Sequence, residues 1–180
     1  MIFEKNEYIE RLNKTKKSMQ NKGIDLLISQ DTANINYLTG YDAWSFYYAQ
    51  CAIVHLDHEE PFLFVRDQDS GGAYIKSYIK DENIIVYDEK YIHTWPLHPY
   101  DFLIELIKKN KWDNLNIGVE MDSHYFTAYC YQKLKNGLPN ARLIDSGRLV
   151  NWVRVVKSEN EINLMKNAAL ISQAGMKTAF

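Results

Sequence analysis

The side chains able to do chemistry in this chain are few and scattered. Five histidines and two cysteines are spread over 180 residues. His55-Leu-Asp-His58-Glu-Glu60 holds the residue types of a metal site, but the run falls at the tip of a hairpin. Strand and turn positions there are expected to point the two imidazoles apart, so the segment reads as an acidic turn. His93 and His98 flank Thr-Trp-Pro-Leu, where they can reach a ligand or, more simply, cap the helix that follows. Asp67-Gln-Asp69-Ser-Gly-Gly lacks the lysine of a phosphate loop and the glycine spacing of a dinucleotide fingerprint, and reads as a helix start. No serine stands in a nucleophile elbow, and neither Cys51 nor Cys130 has a histidine so placed in sequence as to recommend a dyad. No catalytic residue and no metal ligand is assigned. What remains is aromatic. Trp44, Phe46, Tyr48 and Gln50 share one face of a segment read as extended, with Ser45, Tyr47, Ala49 and Cys51 on the other. One face belongs to the domain's own core; the other can meet a partner or wall a substrate.

The elements that must position these residues alternate in type. A helix over 7–21 is expected from Ile9, Leu12 and Met19, and Gly23 ends it. The apolar run 24–29 reads as a strand buried on both faces. Asp31 can cap a short helix that leaves through Gly40, where a positive φ is needed. The aromatic segment then runs as a strand through residue 56, a turn follows, and 61–66 returns as its hairpin partner. A loop over 67–72, a helix over 73–79 and a strand over 83–87 lead to an irregular stretch, 88–98. Pro99 opens a helix to about residue 110, with Phe102, Leu103, Leu106 and Ile107 inward. A strand at 115–120, a helix at 123–134 broken by Gly137 and Pro139, a strand at 141–144 and a helix at 146–152 complete the alternation. Strands alternating with helices, plus one hairpin, predict an α/β fold with a mixed sheet flanked by helices.

Composition narrows the classes further. The formal charge is −2 and no basic run is present, which argues against nucleic acid as a partner. No apolar run is long enough for a membrane span, and residues 1–10 are too polar for a signal peptide. Cys51 and Cys130 lie in apolar surroundings and read as reduced, buried thiols of a cytoplasmic protein. Thirteen tyrosines suit half-wet surfaces and interfaces. Ser158-Glu-Asn-Glu161 is a capping box opening a helix whose apolar positions include Ile162, Met165, Ala169 and Ile171. That amphipathic helix carries on to Phe180 without an exit signal, so residues 157–180 are expected to begin a further domain, after a first domain over 1–156.

The order RLNKTKKSMQNKGIDLLISQDTANINYLTGYD, with its Asn34-x-x-Tyr37-Leu-Thr-Gly40 segment, resembles the opening of the creatinase/prolidase N-terminal domain. Arg154-Val-Val-Lys157-Ser158-Glu-Asn-Glu161-Ile162 is similar to that family's junction into its pita-bread catalytic domain. Trp44-Ser-Phe-Tyr, Arg66-x-x-Asp69 and His98-Pro99-x-Asp101 look most like the creatinase and ectoine hydrolase branch. The resemblance implies a ribonuclease H-like α/β fold and a non-catalytic role, serving dimerisation and shaping the substrate entrance of a C–N hydrolase. The whole enzyme would be of Xaa-Pro peptidase, creatinase or ectoine hydrolase type. Its metal-free or divalent-metal site (Mn, Co or Zn), built from two Asp, one His and two Glu, would lie in the catalytic domain. Partners implied are that catalytic domain, a second subunit, and a small-molecule or dipeptide substrate. Candidate entrance residues are Trp44, Phe46, Tyr47, Tyr48, Gln50 and His98. In creatinases an arginine of this domain joins an aromatic residue at the substrate; in this sequence Tyr47, Tyr48 and Gln50 stand at about that place and no arginine does. Two other readings compete: a stand-alone small-molecule binding module, its pocket lined by 44–50 and the 91–98 loop, and an enzyme complete in itself.

Overall fold

The computed structural model describes residues 2–43 and 48–179. Six strands form one mixed sheet: β1 (Leu26–Ser29), β2 (Cys51–His55), β3 (Phe62–Arg66), β4 (Ile84–Tyr87), β5 (Asn116–Val119) and β6 (Arg142–Asp145). Their spatial order is β4-β3-β2-β1-β5-β6. β1, β5 and β6 run parallel, β3 and β4 run parallel, and β2 is antiparallel to both its neighbours. β1 is buried at every position, as its unbroken apolar run requires at the centre of a two-sided sheet.

Helices α1 (Lys5–Asn21), α2 (Thr32–Thr39), α3 (Ser70–Lys76) and α6 (Leu149–Val155) contribute to one face. There Leu12, Met19, Leu38 and Val150 pack on Leu27, Val54 and Val65 of the sheet. On the other face α4 (Pro99–Lys109) and α5 (Ala128–Gly137) bring Leu103, Ile107 and Leu134 onto Ile28, Ile53 and Val119. α2 begins and ends as its sequence dictates. Asp31 accepts from the Ala33 and Asn34 amides, and Gly40 sits at φ +80, where a side chain would also press on the Tyr8 ring.

Local signals mislead at four places. Tyr48–Gln50 are not strand, because β2 begins only at Cys51, and Trp44, Ser45, Phe46 and Tyr47 lie outside the described residues. α3 starts at Ser70 and contains both glycines: buried Ala73 and the packing around it outweigh a propensity cost of ~1 kcal/mol per glycine. α5 starts at Ala128, because Thr127 caps the Cys130 amide at 3.2 Å while Ser123 is spent on a turn. Gly137 belongs to α5 and marks close packing, since a Cβ there would lie 2.6 Å from Ile104. His55 and His58 also depart from expectation: their rings meet edge to face at 4.9 Å, both against Trp112. They form part of an aromatic cluster, and among the described residues no three His, Cys, Asp or Glu side chains converge as a metal ion requires.

Two buried polar centres tie the halves of the chain together. Glu120, just beyond β5, accepts from Ser29 Oγ (2.7 Å), the Gln30 and Asp31 amides (2.7 and 2.9 Å) and Asn34 Nδ2 (2.7 Å). Asn34 also donates to Asn151 Oδ1 and accepts from Arg154 at 2.8 Å. Its partners are thus side chains of β5's end and α6, rather than the backbone of neighbouring strands. The second centre is Arg11, stacked on Phe3 (4.2 Å) and Tyr37 (4.6 Å) and charge-paired with Glu7 and Glu161.

Glu161 belongs to the first turn of α7 (Glu159–Ala179), which opens with the expected box: Ser158 Oγ accepts from the Glu161 amide and Glu161 accepts from the Ser158 amide. Beyond that turn no residue of α7 is buried. Leu164, Met165, Leu170, Ile171 and Met176 are all 41–74% exposed.

Candidate functional site

The carboxyl end of β4 feeds a short 3₁₀ turn, Glu89–Tyr91, and then an irregular run, 92–98, before Pro99 starts α4. This run and the approach to β2 enclose a cleft of about 440 Å³, walled by Tyr48, Tyr91, His93, Trp95, His98 and Tyr129. Tyr87 fixes one edge by donating its hydroxyl to the Ala49 carbonyl at 2.7 Å.

His98 is built into the start of α4. Its Nδ1 accepts from the Tyr100 amide at 3.1 Å, while its own amide donates to Asp101 Oδ2 at 2.9 Å. Lys133 of α5 holds Asp101 by both carboxylate oxygens. Burial drives the His98 imidazole below its ordinary range; Asp101 opposes this and Lys133 adds to it. The ring is therefore neutral near pH 7, with its proton on Nε2 because Nδ1 accepts. Tyr129 meets His98 edge to face at 5.2 Å and lies 6.1 Å from Trp95, near parallel.

Tyr48 is held by a neighbouring cation. The Arg66 guanidinium, at the end of β3, sits 4.0 Å from the centre of its ring. Glu89 takes the Arg66 Nε at 3.0 Å, and Gln68 accepts from the same guanidinium. His93 meets Tyr48 edge-on at 5.7 Å. Arg66 thus stands beside Tyr48, supplied from a neighbouring strand 18 positions further along the chain. The sequence motif could not show it, because only the pairing of β3 with β2 and β4 brings it there.

Of the sequence candidates, Tyr48 and His98 line one cleft. Gln50 does not: it is buried and donates to the Ala43 carbonyl at 3.4 Å. Trp44, Phe46 and Tyr47 fall outside the described residues. Tyr129 had no signal as a cleft residue, being an ordinary helix residue until the fold brings it to His98; Arg66, marked only as part of the Arg66-x-x-Asp69 motif, does not line the cleft and meets Tyr48 through the fold.

Fold and cleft together define a mixed α/β domain with a small, aromatic-walled, open cleft at one end of the sheet. Residues 11–156 match the Creatinase/Prolidase N-terminal domain, and the chain belongs to that family. It is 41% identical over 175 residues to the ectoine hydrolase of Halomonas elongata, covering 97% of this chain and 43% of that protein. It is 40% identical over 177 residues to the uncharacterized hydrolase/peptidase y4tM of Sinorhizobium fredii, covering 98% and 45% respectively. The Xaa-Pro dipeptidase from Bacillus anthracis shares the fold, with a TM-score of 0.72 at 16% identity over 95% of this chain and 42% of its own. The chain spans less than half the length of these relatives.

Proposed function

We propose that this chain is the non-catalytic N-terminal domain of a dimeric, cytoplasmic hydrolase acting on small C–N substrates. In this reading the Tyr48–His98 cleft shapes the substrate entrance, and the chemistry belongs to a catalytic domain that continues from α7. The observation that carries it is α7 itself. A clamp at Arg11 anchors its first turn, yet the apolar residues after that turn are exposed along the whole helix. A stripe of that kind needs a second body against it. Domains 1–156 and 157–180, a divalent ion held by the catalytic domain, and free Cys51 and Cys130 in a reducing compartment fit the same reading.

A second reading, a stand-alone binding module, is favoured by the cleft, which is large enough for a small molecule without any catalytic domain. Both readings predict that the chain alone catalyses nothing. Metal-assisted hydrolysis needs a convergent ligand set to hold an ion and activate water, and the described residues do not assemble one. Purified chain supplied with Mn²⁺, Co²⁺ or Zn²⁺ is expected to leave Xaa-Pro dipeptides, creatine and ectoine intact. Turnover that co-purifies with the chain through successive columns would refute the proposal.

A further inference from the structure

His98 caps α4 with one ring nitrogen only, and the other is open. Nδ1 accepts from the Tyr100 amide, so Nε2 carries the ring proton. Among the described residues no hydrogen bond engages Nε2, and the atom is not one of those sealed from solvent without a partner. His98 lines the cleft, so this N–H opens there. The cap also fixes its direction. Turning the ring over would take Nδ1 from the Tyr100 amide, and the rings of Tyr100 and Tyr129 pack on it at 5.6 and 5.2 Å.

A fixed ring N–H differs from the hydroxyls near it. A hydroxyl rotates to donate or to accept, and that of Thr94 already donates to the Ile92 carbonyl. Nε2–H can only donate. Around it the cleft offers rings and apolar side chains, among them Tyr91, Trp95, Leu97 and Tyr129. No carboxylate among the described lining residues competes for the donor. A bound molecule that turned an apolar edge to Nε2 would strip that N–H of water and return no bond, the loss of any donor left unpaired. One that turned an oxygen to it would keep the bond and still lay its ring on the aromatic wall.

We propose that the cleft selects small ring-bearing molecules that present a carbonyl-type oxygen, and that His98 reads this oxygen through Nε2–H. This rests on the reading of the cleft as ligand-facing. Acetophenone and toluene make the probe pair, alike in ring and differing in the carbonyl. Each would be titrated into the full chain at pH 7 while two sets of NMR signals are followed. The Trp95 indole N–H, assigned by Trp95→Phe, reports ring contact. The His98 ring nitrogens, assigned by through-bond correlation to their own backbone, report the hydrogen bond. Acetophenone should shift both sets, and toluene the Trp95 signal at most. His98→Asn keeps a capping oxygen for the Tyr100 amide but has no ring N–H. It should weaken acetophenone ~2- to 10-fold more than toluene. Acetophenone that moves Trp95 but leaves the His98 nitrogens unchanged would overturn the proposal with the cleft reading intact. Toluene that shifts those nitrogens as far, or equal weakening of both probes in the folded variant, would do the same. Should the variant fail to fold, the His98 signals of the native chain decide alone. If neither probe moves the Trp95 signal, the cleft is not ligand-facing, and the proposal falls together with that reading.

Discussion

Glu120→Ala is expected to cost the domain about 3–5 kcal/mol, a large share of the total stability of a domain this size. The carboxylate is 4% exposed and accepts from four donors, two of them backbone amides that open the α2 turn. Alanine leaves those donors buried without acceptors, each at about 1–3 kcal/mol before relaxation. Asn34 would lose one of its two amide acceptors, and through it the contact to Arg154 of α6 would loosen. Glu120→Gln should cost less than alanine but not nothing. Its single carbonyl serves one pair of donors, and its NH₂ group then confronts the other pair. Urea denaturation of the three proteins checks this, with the order native, Gln, Ala in midpoint. A midpoint unchanged in the alanine variant would show that the four bonds do not hold β1, α2 and β5 together.

Arg11→Ala is the second large effect, expected at about 2–4 kcal/mol. The guanidinium is 3% exposed, with Nε 3.3 Å from Glu7 and one terminal nitrogen 3.1 Å from Glu161, an ion pair rather than an aligned hydrogen bond. Three aromatic rings surround it: Phe3, Tyr8 and Tyr37. Burial raises the Glu7 carboxyl, but hydrogen bonds from Ser158 and Asn160, with the Arg11 charge, outweigh it and hold the group below its ordinary value. Folding thus lowers the Glu7 pKa, so its contribution is whole above the unfolded value and is lost as pH falls through the folded one. Acid and Arg11→Ala should therefore act on the same joint. Protection of the amides in the first turn of α7, taken relative to the intrinsic exchange rate at each pH, should fall in both, while β1 and β5 stay protected. Arg11→Lys should recover only part of the loss, because an ammonium keeps the charge but cannot stack as a plane on the rings. Equal protection of that turn in native and alanine proteins would show that Arg11 does not anchor α7.

How much of this was legible depends on the range of the interaction concerned. The Asp31 cap, the Gly40 exit, the fully buried β1 and the Ser158–Glu161 box are written within a few residues each, and the structure has all four. The mixed sheet follows from those elements and one hairpin. Where two local signals compete, sequence alone does not say which wins: Thr127 takes the α5 cap from Ser123, and packing carries α3 across its glycines. The polar centres are of another kind. Glu120 reaches Asn34 across 86 positions, and Arg11 reaches Glu161 across 150. Nothing local marks a glutamate after a strand as an acceptor of four bonds. The cleft shows the same split, since its 91–98 wall was visible as an irregular aromatic run while the Arg66 support of Tyr48 needed the strand pairing. Tyrosine count misled as well: Tyr8, Tyr41, Tyr87 and Tyr100 are interior residues rather than interface ones.

The most direct measurement is sedimentation velocity on two lengths of the chain, the full one and one ending at Asn163. The shorter form keeps the Arg11–Glu161 joint and loses Leu164, Met165, Leu170, Ile171 and Met176, the exposed stripe of α7. In residues 1–180 taken alone, that stripe should pair between copies. Burying a few hundred Å² contributes several kcal/mol at roughly 25 cal/mol per Å² before the costs of association. The full chain is expected to self-associate with rising concentration and the shorter one to stay monomeric, with the same circular dichroism per folded residue in the α/β core. Equal association of the two lengths would contradict this, and would move the contact from α7 to the surface around Tyr48.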